Sequence, residues 1–219
     1  MSPRQGFDNA LRELQQDILR MGSLVEEAIA LSVQSLVKQD QELAQRVIDG
    51  DNAIDDLEAQ IEDKCIRLLA TQQPMAKDLR KIGAAFKIIG DLERMGDHAC
   101  DIARTTKRIG NEPFIKPLID IPRMAEIAQK MVKQCLDAYV QESVELAQAL
   151  TKDDDLVDHL HSQIFRELLT YMMEDPHTIR QSTHLLFISR FLERIADHAT
   201  NIGERVIYLV TGERQALND

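Results

Sequence analysis

The stretch DLERMGDHACDIAR at residues 91–104 recurs one hundred residues later as FLERIADHATNIGE at 191–204. Leu92, Glu93, Arg94, Asp97, His98, Ala99 and Ile102 are matched by Leu192, Glu193, Arg194, Asp197, His198, Ala199 and Ile202. A repeat of this length restricts the chain to a fold built twice. At about 100° per residue, Glu93, Asp97 and Asp101 form one row of a helix, and Leu92, Met95, Ala99 and Ile102 form the opposite face. Like charges at i,i+4 repel by a few tenths of a kcal/mol on an exposed helix. A row that carries this cost in both halves suggests that something cationic sits on it.

The repeat extends beyond these helices. Residues 35–45, SLVKQDQELAQ, align with 138–148, AYVQESVELAQ, at an offset of 103. The same offset carries Asp51, Asp55, Leu57 and Ile61 onto Asp154, Asp158, Leu160 and Ile164. Apolar periodicity predicts helices over 8–39, 41–70 and 75–109, then over 123–152, 154–174 and 178–211. The first carries a seam at Leu11, Leu14, Ile18, Met21, Val25, Ala28 and Ser32. The second carries a stripe at Ile54, Leu57, Ile61, Cys65 and Leu68. Elements near 30 residues are about 45 Å long, and short connections make neighbours antiparallel. Residues 110–122, GNEPFIKPLIDIP, hold three of the six prolines and form the one strong break mid-chain. The expected architecture is all-α: two tandem three-helix bundles, over 1–111 and 112–219, related by the internal repeat. Gly212 stands where a helix C-terminal cap belongs.

Composition agrees and narrows function. Aromatic residues are 4% and tryptophan is absent, so the core is Leu, Ile, Ala and Met, as in helix packing. The formal charge is −11, from 37 acidic and 26 basic residues. That charge opposes non-specific binding to nucleic acid or anionic lipid. No uncharged apolar run reaches the length of a membrane span. Cys65, Cys100 and Cys135 lack metal or redox spacing, and the first residues lack a secretory apolar segment, so a cytoplasmic protein is expected.

Counting residues from the hairpin turns brings the acidic rows together. Asp97 lies 23 residues after Pro74, and Asp51 lies 23 before it. Asp197, counted back across Pro176, meets Asp155 with Asp154 and Asp158 on either side. Two hairpins thus gather carboxylates from neighbouring helices, and carboxylate oxygens suit hard cations, with imidazole extending the range to iron or zinc. An acidic row is otherwise simply a solvated face. His98 and His198 follow the central aspartates and are more commonly interhelical hydrogen-bonding groups. Arg94 and Arg194 can clamp the carboxylates, and His159 and His161 have no histidine counterparts. The di-iron bundle spacing Glu-x-x-His is not duplicated, and phosphate loops, nucleophile elbows and Cys/His dyads are missing, so no enzyme is expected.

The segments LRKIGAAFKIIGDLERMGDHACDIA and LLFISRFLERIADHATNIGE resemble the two signature helices of the PhoU family, phosphate-specific transport accessory proteins of bacteria. The resemblance covers nearly the whole chain and implies tandem three-helix bundles. It also implies acidic motifs that bind multinuclear iron or zinc clusters. These map to Glu93 with Asp97, Asp97 with Asp101, and Glu193 with Asp197, where Asn201 stands in place of the last acid. With the hairpin partners, the expected ligands are Glu93, Asp97, Asp101, Asp51 and Asp55, then Glu193, Asp197, Asn201, Asp154 and Asp158. The first row has one more carboxylate than the second, so the first half is expected to hold more metal. The implied role is to link a phosphate ABC transporter to a sensor histidine kinase and keep the phosphate-starvation response off. A homodimer is expected, without nucleic acid. The alternatives are a metal-binding scaffold or storage bundle, or a carboxylate-metal hydrolase.

Overall fold

The computed structural model describes residues 3–72 and 74–217. Among these the chain forms eight α-helices and no strand. The first half contains α1 (Pro3–Lys38), α2 (Gln41–Gly50), α3 (Asn52–Gln72) and α4 (Ala76–Ile109). The second contains α5 (Asp120–Gln141), α6 (Val144–Gln148), α7 (Leu150–Glu174) and α8 (Ile179–Thr211), with a 3-10 turn at Pro176–Thr178. The pairs α2/α3 and α6/α7 each form one column, so each half is a three-column bundle repeated in tandem.

The predicted apolar faces are the buried ones. Leu14, Ile18, Met21, Val25 and Ser32 are buried on α1, joined by Ile29 where Ala28 was expected. Ile54, Leu57, Ile61, Cys65 and Leu68 are buried on α3. A fully buried aliphatic side chain is worth about 1.5–3 kcal/mol, so these stripes decide how the columns pack. One core runs through both halves, from Leu14 and Ile61 to Met131 and Val206. The halves meet along α4 and α8, which cross antiparallel: Arg80 Nε donates to the Leu209 carbonyl at 3.3 Å, and His198 lies against Asp91. They also meet where Gly22 of α1 lies directly against the Leu136 side chain of α5. Any added Cβ there would collide with Leu136.

Two of the predicted helices are broken. The helix predicted over 123–152 starts earlier and stops at Gln141, because Glu142 takes a left-handed conformation at φ 49°. Ser143 then caps α6 by accepting from the Leu146 amide at 3.2 Å. The first half breaks at the equivalent place: Gln39 has φ 53°, and Asp40 accepts from the Leu43 amide at 2.9 Å. A short polar N-cap satisfies an otherwise orphaned amide, which is why the break recurs. The helix predicted over 41–70 is interrupted at Asp51, which lies between α2 and α3. The proline-rich segment 110–119 is not a loose connector. Gln181 exchanges bonds with it, accepting from the Ile115 amide at 2.7 Å and donating to the Pro113 carbonyl at 3.0 Å. Gln39 donates to the Glu112 carbonyl at 2.6 Å, and Lys116 pairs with Glu167. Gly212 ends α8 at φ 80°, donating to the Tyr208 carbonyl, as its position after the last apolar residue predicts.

Candidate metal centre

The two signature helices match residue by residue in burial from 91 to 100 and from 191 to 200. Leu92, Met95, Ala99 and Leu192, Ile195, Ala199 all face the core with no exposure. The charged row is therefore held on the outer flank, toward the neighbouring column of its own hairpin. Gly96 permits a close approach there: a Cβ on it would lie 3.0 Å from Ile54 Cδ1 and 3.6 Å from Asp51 Oδ1.

In the first hairpin the structure brings Asp51, Asp55, Glu93 and Asp97 together, as counting from the turn predicts. Burial raises the pKa of Asp51, and Asp55 and Asp97 raise it further. Burial likewise raises Glu93, with Asp97, Glu58 and Asp55 adding to it. Arg94 offsets part of this charge, lying 3.4 Å from Glu93 and 3.3 Å from Asp97. Two residues were missed. Glu58 belongs to the same group, its pKa raised by burial and by neighbouring carboxylates. It lies one helical step beyond Asp55, so the row that found Asp51 and Asp55 could have been extended to it. The Cys100 thiol lies beside Asp51, and burial together with that carboxylate pushes its pKa up to about 12.

The second hairpin gathers Asp154, Asp158, Glu193 and Asp197, together with Asp155. Asp154 is buried and its Oδ1 has no hydrogen-bond partner. Burial, then Asp158, Asp197, Asp155 and Glu193, push its pKa up to about 7. Asp158 is raised in the same way, relieved in part by His161 and Arg190. His161 occupies the place that Glu58 has in the first half. It is set by a 3.0 Å contact between its Nδ1 and Ser189 Oγ.

Asn201 turns away from its hairpin group, whereas Asp101 borders the first group through Arg104, which interacts with both Asp101 and Asp51. Asp101 accepts from Arg104 at 2.9 Å on its own helix. The Asn201 amide reaches across to Asp91 at 3.5 Å. His98 and His198 also lie in the seam between α4 and α8, their ring centres 5.7 Å apart. His98 stacks on Phe191 at 5.8 Å, and burial followed by the His198 charge pulls its pKa down to about 4.

The donor set suits a hard cation. It is rich in carboxylate oxygen, and the buried unpartnered oxygen of Asp154 is the kind of group that a cation would satisfy. Among the described residues no three His, Cys, Asp or Glu side chains already converge on one point. Loading would therefore need side-chain rotation, with the cation offsetting the mutual repulsion of the carboxylates.

The fold and these two flanks define a class: a tandem-duplicated helical protein with an acidic hairpin in each half. The family model for the PhoU domain matches residues 18–106 and again 121–206. The chain belongs to the PhoU family, whose domain it carries twice. It is 45% identical over 217 residues to the phosphate-specific transport system accessory protein PhoU homolog of Clostridium acetobutylicum, covering 99% of each chain. It is 46% identical to the corresponding Aquifex aeolicus protein over 203 residues, 93% of this chain and 92% of that one. The crystal structure of PhoU from Pseudomonas aeruginosa superposes with a TM-score of 0.90 at 39% identity, over 94% of this chain and 100% of that one. The phosphate transport system regulatory protein PhoU from Streptococcus pneumoniae does so at 0.89 and 32% identity, over 95% and 99%.

Proposed function

We propose that this protein is an accessory regulator of a phosphate transport system. In this reading it links the transporter to a sensor histidine kinase and holds the phosphate-starvation response off, and its two acidic hairpins bind metal. The observation that carries the regulatory part is the near full-length likeness to proteins named as phosphate-specific transport accessory proteins. Among the described residues no helix is long and apolar enough to cross a membrane, so engagement with a transporter would be through protein contacts. The long helices and shared core suit a rigid adaptor.

Asp51, Asp55, Glu93 and Asp97, with Glu58, would hold metal in the first half; Asp154, Asp158, Glu193 and Asp197 would hold it in the second. A bound iron, zinc or other divalent cation would supply positive charge that relieves the repulsion among these carboxylates. The chain's own residues set its place: Arg94 and Arg194 orient the central aspartates, and Gly96 lets α3 approach α4 closely. Joining α3 to α4 and α7 to α8 in this way would stiffen each hairpin and fix the outer face that a partner meets.

Metal content per chain of protein purified without chelator or added metal tests the site. Asp97→Ala and Asp197→Ala are each expected to lose their own hairpin's metal, and the double variant to lose both. Unchanged content in all three variants would overturn the assignment. Capture of cytoplasmic transporter and kinase segments by the wild-type chain tests the adaptor role. A scaffold or storage protein would capture neither, and metal-dependent phosphate-ester turnover lost in Asp97→Ala would instead indicate a hydrolase.

A further inference from the structure

A second feature lies at the end of the α4/α8 seam, away from both acidic hairpins. After α8 the chain folds back along the helix that it has just left. The Leu217 amide donates to Glu204 Oε1 at 2.9 Å, and the Leu217 side chain would lie 3.0 Å from a Cβ at Gly203. Gly203 therefore gives the tail its seat. Between this tail, α4 and α8 is a cavity of about 480 Å³. That is within the range of small-molecule sites, roughly 300–1,000 Å³, and far more than a bare oxyanion fills.

Its charge is opposite to that of the chain. Lys87, Arg205 and Arg214 line it, in a protein whose net charge is −11. Arg214 lies 5.9 Å over the Tyr208 ring, a cation–π contact, and pairs with no carboxylate among the described residues. Glu204 is the one acid in the lining, and one of its oxygens already accepts from the tail. Arg205 Nε is buried and has no hydrogen-bond acceptor. A buried guanidinium donor left unsatisfied is costly, and an anion bound beside it would offset that cost.

The repeat shows what the acceptor should be. At the other end of the seam the equivalent positions are Thr183, His184 and Phe187 on α8, facing Arg104, Thr105 and Arg108 on α4. There the segment 110–119 closes over the helices, and Glu112 supplies the negative charge: Arg180 pairs with it at 3.4 Å and also bonds the Arg108 carbonyl. At the cavity end no carboxylate among the described residues takes that part.

We infer that the cavity beneath the tail binds a phosphorylated small molecule of about nucleotide size, its phosphoryl group on Arg205 and Lys87. Guanidinium forks match phosphate oxygens, and an ammonium adds a point charge. The remaining space and the apolar face of the Tyr208 side suit an organic body. This inference is independent of the acidic hairpins and of any metal.

Titration calorimetry on the full chain, with chelator and at fixed ionic strength, tests it. The probes are AMP, ADP, ribose 5-phosphate, inorganic phosphate and adenosine. At least one organic phosphate is expected to bind once per chain, tighter than inorganic phosphate, with adenosine silent. Arg205→Met should weaken it ten-fold or more, and Lys87→Met three- to ten-fold, with unfolding curves unchanged or shifted up. If Arg205→Met fails to fold, Lys87→Met and Arg214→Ala give the same reading from the rim. No binding by any organic phosphate at millimolar concentration would overturn the inference, as would affinity unchanged in these variants. Inorganic phosphate binding as tightly as the organic probes would overturn the assigned ligand size.

Discussion

The two acidic hairpins are copies of one design, yet they resolve the same electrostatic problem differently. Asp51 and Asp154 occupy equivalent places, each close to the central aspartate of its signature helix. In the first half Asp51 is half-buried, and the Cys100 thiol beside it offsets part of the cost of its burial. In the second half the residue equivalent to Cys100 is Thr200, whose hydroxyl donates to the Asp197 carbonyl at 2.8 Å. Asp154 Oδ1 is left buried without a donor, among four other carboxylates. The same carboxylate is thus relieved by solvent and a neighbouring thiol in one half and left buried and unsatisfied in the other. The lesson is that a duplicated motif can keep its residues and lose its equivalence through a neighbour outside the motif.

The largest effect should come from removing that unsatisfied charge. A carboxyl whose folded pKa is raised holds its proton more tightly in the folded chain. Its stabilising contribution is complete below the unfolded value near 4 and is lost as pH rises through about 7. In chelator, the wild type should therefore be less stable at pH 8 than at pH 5, and Asp154→Asn should recover roughly 2–4 kcal/mol at pH 8. Asp51→Asn should recover much less, because its carboxylate is only half-buried and lies beside the Cys100 thiol. Urea unfolding of both variants at the two pH values measures the contrast. Equal gains would mean that the thiol and the hydroxyl make no difference.

Much of this contrast was legible before any coordinates. The constant offset found the repeat, the helical period separated the buried face from the acidic flank, and counting from Pro74 placed Asp51 beside Asp97. The break at Glu142 was also available, since the aligned segment 35–45 already contained a helix end at Gln39, but apolar periodicity running through 138–150 concealed it. Glu58 was lost by stopping the acidic row one step early. Side-chain direction was beyond reach: nothing in the spacing tells that Asn201 turns to Asp91, or that Cys100 turns to Asp51. Nor does any period announce the tail, whose return depends on Leu217 meeting Gly203, a contact made only by the folded helix.

A smaller effect should appear at the two left-handed positions that end α1 and α5. Gln39 serves the first half with an amide bonded to the Glu112 carbonyl. Glu142 serves the second with a carboxylate held by Lys77 at 2.8 Å and Lys81 at 2.6 Å, which lowers its pKa. A depressed carboxyl stabilises fully above its unfolded value near 4.5, and that contribution fades as pH falls through the folded one. Glu142→Gln should cost about 0.5–1 kcal/mol at pH 7, less in high salt because Lys77 is largely exposed, and progressively less as pH falls through the folded value. Gln39→Ala should cost a similar amount with no dependence on salt or pH. Parallel pH and salt profiles for the two variants would show that the charge adds nothing at Glu142.

The smallest effect concerns how closely α3 and α7 approach their signature helices. Gly96 faces Ile54, whereas Ala196 stands at the equivalent position, where Val157 replaces Ile54. One methyl has moved from the column to the signature helix, so the volume across each contact is conserved. A Cβ on Gly96 would lie 3.0 Å from Ile54 Cδ1, tight but against the movable end of a side chain. Gly96→Ala should gain about 1 kcal/mol of helix propensity and lose about as much to crowding, for a net change near zero. Ile54→Val alone should cost about 0.5–1.5 kcal/mol by leaving a small void. Combined, the two recreate the pairing of the second half, and the double variant should be more stable than the single effects add to, by about 1 kcal/mol. A double-mutant cycle by chemical unfolding reads this coupling directly. Strict additivity would show that the methyl exchange between the halves is incidental, and that the approach of the acidic columns does not depend on it.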